Sequence, residues 1–244
     1  RAPIVPTWAP GTQVENGAVT VALNNGEMAI RKGALTAGLV LAPFRLTNPI
    51  SGQSEQVIAD MSRMATRVCR GGLCPRLEVY GELAWGVEMR LVLEAWPEEV
   101  ICDWQFRFDR PSQVGEGGWS PRGLVAMLKC SPGSVYYDVP CGVIRHRNQQ
   151  ASCFSAARFA ALWGQETTTA IFPLTGEQCF CANAAAGELG LCLGASTEGA
   201  PGDRPFCTID ERGYAHHHMP AIGDIFCGSY RHRLAIRLGQ GDWK

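Results

Sequence analysis

Polar side chains gather at a predicted corner of the chain, in the stretch 135–147. A β-rich run there is broken by Pro-Cys-Gly, resumes and ends in three basic residues, and such corners bring polar side chains to one rim of a sheet. Four residues fall at this rim: Asp138, Arg145, His146 and Arg147. Because carboxylate and guanidinium groups bind hydroxyl groups or a ligand carboxylate, the sequence predicts a polar substrate-binding site here. The alternative is a solvated strand end with an ordinary Asp–Arg pair.

A second group of chemically active residues is the histidine-rich stretch 214–220. In an extended strand His216 and His218 lie on one side, and nearby acidic residues would complete a metal shell. No histidine pair at helical spacing and no second distant ligand motif accompanies them. We therefore interpret the stretch as a polar loop and predict no metal site in this chain. His146, His216 and His218 are the candidates for acid–base catalysis, since histidine titrates near neutral pH.

Neighbouring carboxylates occur at Glu98-Glu99 and at Asp210-Glu211. Hydrolysis of a glycoside needs two carboxyl groups that face one another across the scissile bond. Adjacent residues of a strand point to opposite faces, and the first pair follows Pro97, as in a solvated turn. The sequence therefore gives no reason to assign a catalytic carboxylate pair.

Exposed aromatic rings stack on the apolar faces of ligands, and the seven tryptophans are candidates for that role. Trp119 lies in a glycine-rich turn and is the best candidate for an exposed platform that binds substrate. Trp104 and Trp163 have apolar neighbours, so we expect both in the core.

Eleven cysteines are spread along the chain, an odd number without paired metal-ligand spacings. In a chain of this size the pattern favours buried thiols in a reducing, cytoplasmic setting, with a secreted, disulfide-bonded protein as the alternative. Cys179 and Cys181 share one face of a predicted strand, and two cysteines bracket the turn 69–74, so a disulfide or metal clip is the rival interpretation at those places. Nothing in the local sequence orients Cys141 and His146 as a nucleophilic pair.

The elements that must position these residues are almost all strands. A hairpin is predicted over 17–30, because two alternating runs flank Asn-Asn-Gly. In the run 100–108 apolar and polar residues alternate strictly, as in a sheet with one dry face. Further strands are predicted at 35–46, 77–80, 87–96, 124–130, 167–172, 178–183, 188–193 and 230–238, a loop at 47–56, a short helix or strand at 57–69, and a helix at 151–163 with Ser152 as N-cap.

These signals predict an all-β fold: a large two-sheet antiparallel super-sandwich of about a dozen strands with at most one or two short helices. Residues 1–13, which carry three prolines, are expected to form an extended lead-in or linker, and residues 14–244 a single β-sandwich domain. Neither a phosphate-binding glycine loop nor alternation of strands with helices appears.

Composition narrows the classes of partner. The net charge is −1 and the longest basic run is three residues, which argues against binding nucleic acid. No apolar run approaches the roughly 18–20 residues that span a bilayer, so no membrane association is expected. The start lacks both Met and the layout of a signal peptide, and we expect a processed product or a part of a longer protein.

Three segments together resemble a known family. The corner Tyr-Tyr-Asp-Val-Pro-Cys-Gly-Val-Ile-Arg-His-Arg at 136–147, the segment 154–164 and the ending 228–243 resemble the C-terminal β-sandwich region of glycoside hydrolase family 38, the α-mannosidases. Before these segments come Glu15-Asn16-Gly17, the turn at 25–26 and the strand pair 87–108, in the same order as in that family. The resemblance implies a galactose-mutarotase-like super-sandwich and a carbohydrate partner.

The same resemblance implies a division of labour. The family's zinc ligands and aspartate nucleophile belong to an N-terminal α/β domain that has no counterpart in these 244 residues. We therefore expect no cofactor in this chain, no glycoside hydrolysis by it alone, and a role in supporting a catalytic domain of the same or another chain while lending polar residues of the corner to a sugar site. The alternatives are a sugar epimerase or lyase that uses histidine as acid and base, and a simple carbohydrate-binding protein.

Overall fold

The computed structural model describes most of the chain. The described residues are 7–42, 44–47, 54–58, 60–84, 87–108, 120–122, 125–139, 142–146, 152–156, 158–164, 166–174, 178–192, 206–209, 215–218 and 228–241. Within these ranges the chain forms twenty-three strands and one short 3-10 helix, Met61–Arg63.

The strands of the first half are β1 Trp8–Pro10, β2 Gln13–Asn16, β3 Val19–Asn24, β4 Glu27–Lys32, β5 Leu35–Leu41, β6 Phe44–Thr47, β7 Ser54–Val57, β8 Ala65–Cys69, β9 Arg76–Ala84, β10 Val87–Ala95, β11 Val100–Phe108 and β12 Ser120–Arg122. Those of the second half are β13 Val125–Lys129, β14 Ser134–Val139, β15 Gly142–His146, β16 Ser152–Ala156, β17 Ala160–Trp163, β18 Thr167–Pro173, β19 Gln178–Asn183, β20 Glu188–Cys192, β21 Phe206–Ile209, β22 Ala215–His218 and β23 Gly228–Gln240.

Two large antiparallel sheets dominate the fold. The first has ten strands in the order β1-β8-β9-β10-β11-β23-β18-β17-β14-β15, and the second has eight in the order β16-β19-β20-β13-β5-β4-β3-β2. Buried side chains from both sheets, such as Leu91 and Ile236 from the first and Ile30 and Leu189 from the second, form one hydrophobic core. The prediction of an all-β sandwich is confirmed. A third sheet, β21-β22-β12-β6-β7 among the described strands, was not predicted.

Strict alternation along β11 shows why the ten-stranded sheet has a dry face and a wet face. Cys102, Trp104 and Phe106 are fully buried, and the two aromatic rings stack with centroids 5.9 Å apart. Asp103 and Gln105 lie on the opposite face. Burying each large apolar side chain contributes roughly 1.5–3 kcal/mol, so this alternation fixes which face packs on the core.

The hairpin predicted over 17–30 is confirmed. Asn24 pairs directly with Glu27, and the two residues between them have positive φ angles, 49° at Asn25 and 82° at Gly26. Two positive φ angles are those of the tight turn whose twist matches that of the flanking strands. The Asn-Gly dipeptide therefore sets the register of β3 on β4.

The helix predicted at 151–163 is wrong. β16 joins the eight-stranded sheet through β19, whereas β17 lies in the ten-stranded sheet between β14 and β18. Pairing on both sides satisfies the main chain of β17, so tertiary context overrides the helix propensity of its alanines. The chain thus crosses from one large sheet to the other within the segment predicted as a helix.

Two loop boundaries also differ from the sequence predictions. Thr47 and the segment Ser54–Val57 belong to the paired strands β6 and β7, not to a loop over 47–56. The ambiguous stretch 57–69 contains the 3-10 helix and then β8. Within the expected lead-in 1–13, Trp8–Pro10 pairs with β8 as an edge strand.

Among the described residues, no helix is long and apolar enough to span a membrane.

Candidate functional site

The wet face of the ten-stranded sheet carries a cleft of about 520 Å³ above β8 to β11. Alternate residues of these strands project away from the core, so charged side chains line the cleft, and most of the lining surface between their polar groups is apolar. The lining residues are Arg67, Glu78, Tyr80, Gly81, Glu82, Glu88, Met89, Arg90, Gln105, Phe106 and Arg107. The volume falls within the range of about 300–1,000 Å³ of small-molecule sites.

Glu78 is the centre of this cleft. Its side chain is 1% exposed, although its strand neighbour on the same face, Tyr80, is 39% exposed. The Nε–H groups of Arg67 and Arg90 donate hydrogen bonds to its two carboxylate oxygens, one arginine to each. Cross-strand register produces this clamp, because Glu78 lies directly opposite Arg67 on β8 and diagonally across from Arg90 on β10.

Electrostatics keep the Glu78 carboxylate charged. Burial alone would raise its pKa, but the hydrogen bonds from Arg67 and Arg90 outweigh burial and hold the pKa below its ordinary value. The pKa of Arg67 is raised in turn, chiefly by the hydrogen bond to Glu78. The two arginine side chains are 42% and 45% exposed, and each guanidinium has N–H groups beyond the one given to Glu78.

Aromatic rings flank one of these arginines. The Arg67 guanidinium lies 4.6 Å from the ring centroid of Trp8 and 5.4 Å from that of Tyr80. Such contacts hold a guanidinium in one plane and stabilise it by about 0.5–1 kcal/mol at a partly exposed position. On the far side of Glu78, the Arg90 side chain reaches Gln105 with an Nη1 to Oε1 distance of 3.5 Å.

Charged pairs continue along the same face beyond the cleft. Arg231 of β23 binds Asp103 through two nitrogens, at 2.9 and 2.5 Å, and Asp103 keeps a lowered pKa because Arg231 outweighs the effect of burial. Glu94 lies between Arg76, at 3.2 Å, and Arg233, at 3.6 Å. The face is therefore a ladder of opposite charges that neutralise one another.

The predicted corner has a different construction. Asp138 is 2% exposed, and its Oδ1 accepts the main-chain N–H groups of Arg158 at 2.8 Å and Phe159 at 2.9 Å. Its Oδ2 accepts the Nε–H of Arg158 at 3.0 Å, and that arginine side chain is 74% exposed. Burial would raise the pKa of Asp138, but the two main-chain donors and the Arg158 side chain hold it below its ordinary value. The carboxylate fixes the turn that leads from β16 into β17.

The structure describes some of the other predicted site residues and not others. In β15, Arg145 is in register with Tyr136 and His146 with Val135. Arg147 and Trp119 lie outside the described residues, as does the glycine-rich turn around Trp119. The substrate-binding role predicted for this corner and for Trp119 therefore stays a prediction.

The histidine-rich stretch forms part of a strand. His216 and His218 belong to β22 and pair in register with Thr208 and Phe206 of β21, in the small third sheet. The structure has a strand at 215–218, whereas we had interpreted this stretch as a polar loop. The catalytic role of His146, His216 and His218 stays a prediction. Among the described residues no group of three His, Cys, Asp or Glu side chains could hold a metal ion.

Cysteines and tryptophans mostly serve packing in the described part of the chain. Cys69, Cys74, Cys102 and Cys181 are buried with free thiols, and Cys130 is half-buried. Burial raises the pKa of the Cys130 thiol to about 11 and that of Cys102 further still, so neither thiol ionises readily at neutral pH. Trp104 is in the core as predicted. Trp163 is half-buried and packs edge-on against Tyr136, with ring centroids 5.5 Å apart.

Sequence reasoning missed the cleft. Its central residues lie in runs that were predicted to be strands, but their charges were not connected across strands. The available signal was the alternation of charge with apolar residues along 76–82 and 87–94, which puts Arg90 and Glu78 on the wet faces of adjacent strands. Arg67 carried no such signal, because the stretch 57–69 gave no clear period.

Comparison with known proteins bears on the fold. No family model and no curated protein matches the chain. It is similar to the solved structure of a protein in the glycosyl hydrolase family 38 from Enterococcus faecalis, with 12% identity and a TM-score of 0.57, over 96% of this chain and 31% of that chain. It is also similar to an α-mannosidase from Enterococcus faecalis V583, with 11% identity and a TM-score of 0.56, over 96% of this chain and 30% of that one.

At these identities the likeness shows a shared fold, and the chain spans less than a third of the length of either neighbour. The fold of this chain is therefore related to that of part of a family 38 protein, as the sequence resemblance implied.

Proposed function

We propose that this chain is a carbohydrate-related, non-catalytic β-sandwich of an α-mannosidase-like glycoside hydrolase. The observation that carries the proposal is the superposition of nearly the whole chain on a third of a family 38 protein. A sandwich of this kind supports a catalytic domain by packing against it, and the corner at 138–147 lends polar residues to a sugar site. Zinc belongs to that catalytic domain, and a cytoplasmic location accords with the buried thiols.

The pKa values of three described carboxylates favour a non-catalytic role for this chain. Glu78, Asp103 and Asp138 all have pKa values below the ordinary range, because arginine and main-chain donors outweigh burial. A general acid in glycoside hydrolysis needs the opposite, a carboxyl group whose pKa is raised so that it holds its proton near neutral pH. These three carboxylates are suited to binding and to holding the structure.

The mass of the native protein tests this proposal. An antibody against the chain should detect in its source cells a species roughly three times heavier than 26.4 kDa, as the 31% coverage of the neighbour implies. The captured species should cleave an aryl α-mannoside, whereas the purified 244-residue chain should not. Cleavage by the purified chain, or a native species of about 26.4 kDa, would contradict the proposal.

A second candidate, a carbohydrate-binding protein that acts alone, is favoured by one observation: the cleft on the wet face of the ten-stranded sheet. The same mass measurement separates the two, because a stand-alone binding protein would be found near the mass of this chain.

A further inference from the structure

The cleft above β8 to β11 is lined by groups that are already neutralised and already held in place. Three arginines and three glutamates line it, so the lining has no net charge. The central carboxylate is clamped by Arg67 and Arg90, and a further weak ion pair joins Arg107 to Glu88 at 4.0 Å. A polyanion gains little from such a surface, because the lining holds as many anions as cations.

The backbone beneath Glu78 is paired on both sides. Glu78 of β9 pairs with Arg67 of β8 and with Val92 of β10, so a peptide cannot add to the sheet at the centre of the cleft by main-chain hydrogen bonds. An apolar ligand would have to displace water from guanidinium and carboxylate groups without replacing their hydrogen bonds. The ligand must therefore be read by side chains and must itself be rich in hydrogen-bonding groups.

The side chains present suit hydroxyl groups. Arg67 and Arg90 present planar forks of N–H donors, while the Gln105 amide is already bonded to Arg90 and Asp103. Tyr80 adds an aromatic ring that is 39% exposed, beside the Arg67 guanidinium that lies 5.4 Å from its centroid. A ring with an apolar face and hydroxyl groups around its rim satisfies both features at once.

From this geometry we infer that the cleft centred on Glu78 is a binding site for a neutral saccharide, which stacks on Tyr80 and receives hydrogen bonds from Arg67 and Arg90. Glu78 is the positioning residue that fixes both arginines. The inference rests on the carbohydrate-binding role proposed above as the second candidate, and the site needs no catalytic domain.

Isothermal titration calorimetry of the purified chain with mannobiose tests the inference. Saturable binding should weaken roughly tenfold in Tyr80→Ala, because a stacked ring contributes about one factor of ten in affinity. Arg90→Gln should weaken it to a similar extent. Digalacturonate, a disaccharide of the same size that carries two carboxylates, should bind less tightly than mannobiose.

Two variants serve as matched controls. Arg237→Gln removes an ion-paired arginine from the same face but outside the cleft, where it binds Glu99 at 2.7 Å. Leu174→Ala removes a side chain that is 48% exposed. Both should bind mannobiose as the unmodified chain does. No saturable mannobiose binding, tighter binding of digalacturonate, or equal losses in the controls and the cleft variants would each overturn the inference.

Discussion

Two buried acids on the ten-stranded sheet, Glu78 and Asp138, look alike in exposure and differ in their partners. They are 1% and 2% exposed. Asp138 accepts two main-chain N–H groups, at 2.8 and 2.9 Å, and thereby fixes the turn before β17. Glu78 is held by the Nε–H groups of Arg67 and Arg90, whose side chains are 42% and 45% exposed.

Partner type, not burial, distinguishes the anchor Asp138 from Glu78, the centre of the binding site inferred above. Main-chain donors cannot turn toward a ligand, so a carboxylate bound to them serves the fold. Arg67 and Arg90 keep further N–H groups that are partly exposed, so in the inference above the carboxylate that holds both of them prepares a surface for binding. The single arginine bound to Asp138 adds to two main-chain donors. The same residue chemistry thus has two uses at opposite ends of one sheet.

The largest effect is expected at the anchor. Asp138→Ala should lower the free energy of unfolding by about 3 kcal/mol, because it leaves the partly buried N–H groups of Arg158 and Phe159 without their acceptor. Urea denaturation followed by tryptophan fluorescence measures this change. A loss below about 1 kcal/mol would show that Asp138 is not an anchor.

A smaller loss of stability is expected at the cleft. Glu78→Gln should lower the free energy of unfolding by about 1–2 kcal/mol, since water can solvate the half-exposed arginines once the charge is gone. Glu88→Gln is the control, because Glu88 is 56% exposed and 4.0 Å from Arg107, and it should change stability by less than about 0.5 kcal/mol. Equal losses in the two variants would remove the distinction between the buried and the exposed glutamate.

Acid should destabilise the fold through both carboxylates. Their pKa values are lower in the folded chain than in the unfolded chain, so the unfolded chain binds more protons as the pH falls. Their contribution is therefore complete above the unfolded pKa values of about 4 and is lost as the pH falls through the folded values. Urea midpoints between pH 6 and pH 3 should fall less steeply in Asp138→Asn than in the unmodified chain. An unchanged slope would contradict the lowered pKa of Asp138.

The smallest effect is expected for the exposed partner of the anchor. Arg158→Ala should cost less than about 1 kcal/mol, because its side chain is 74% exposed and water replaces its hydrogen bond to Asp138. Its main-chain N–H, which carries the anchoring contact, is retained in the variant. A loss as large as that of Asp138→Ala would mean that the ion pair, not the main-chain contact, holds the turn.

Much of the fold could be predicted from the sequence because its signals are local. Alternation along 100–108 and the Asn25-Gly26 turn each specify a strand pair within a few residues. The segment 151–163 was predicted wrongly because β16 and one side of β17 pair with strands more than twenty residues away in sequence, while its alanines favour a helix locally.

The candidate site was harder to predict, since it depends on cross-strand register. The sequence singled out Asp138 by its place at a Pro/Gly corner. The hydrogen bonds that it accepts from the main-chain N–H groups of Arg158 and Phe159 join residues about twenty positions apart, and no local pattern indicates them. The Glu78 clamp joins three strands, and only their register brings Arg67 and Arg90 to the same carboxylate. Charge alternation reveals the wet face, but not which charges meet.

The most direct test of the account is to map mannobiose contacts on the chain by amide chemical shifts. Saturating mannobiose should shift the amides of β9, β10 and β11, with the largest changes near Tyr80 and Arg90, and should leave those of β3 and β4 in the other large sheet unchanged. Shifts confined to β14 and β17, with the cleft unaffected, would contradict the assignment of the saccharide to the cleft.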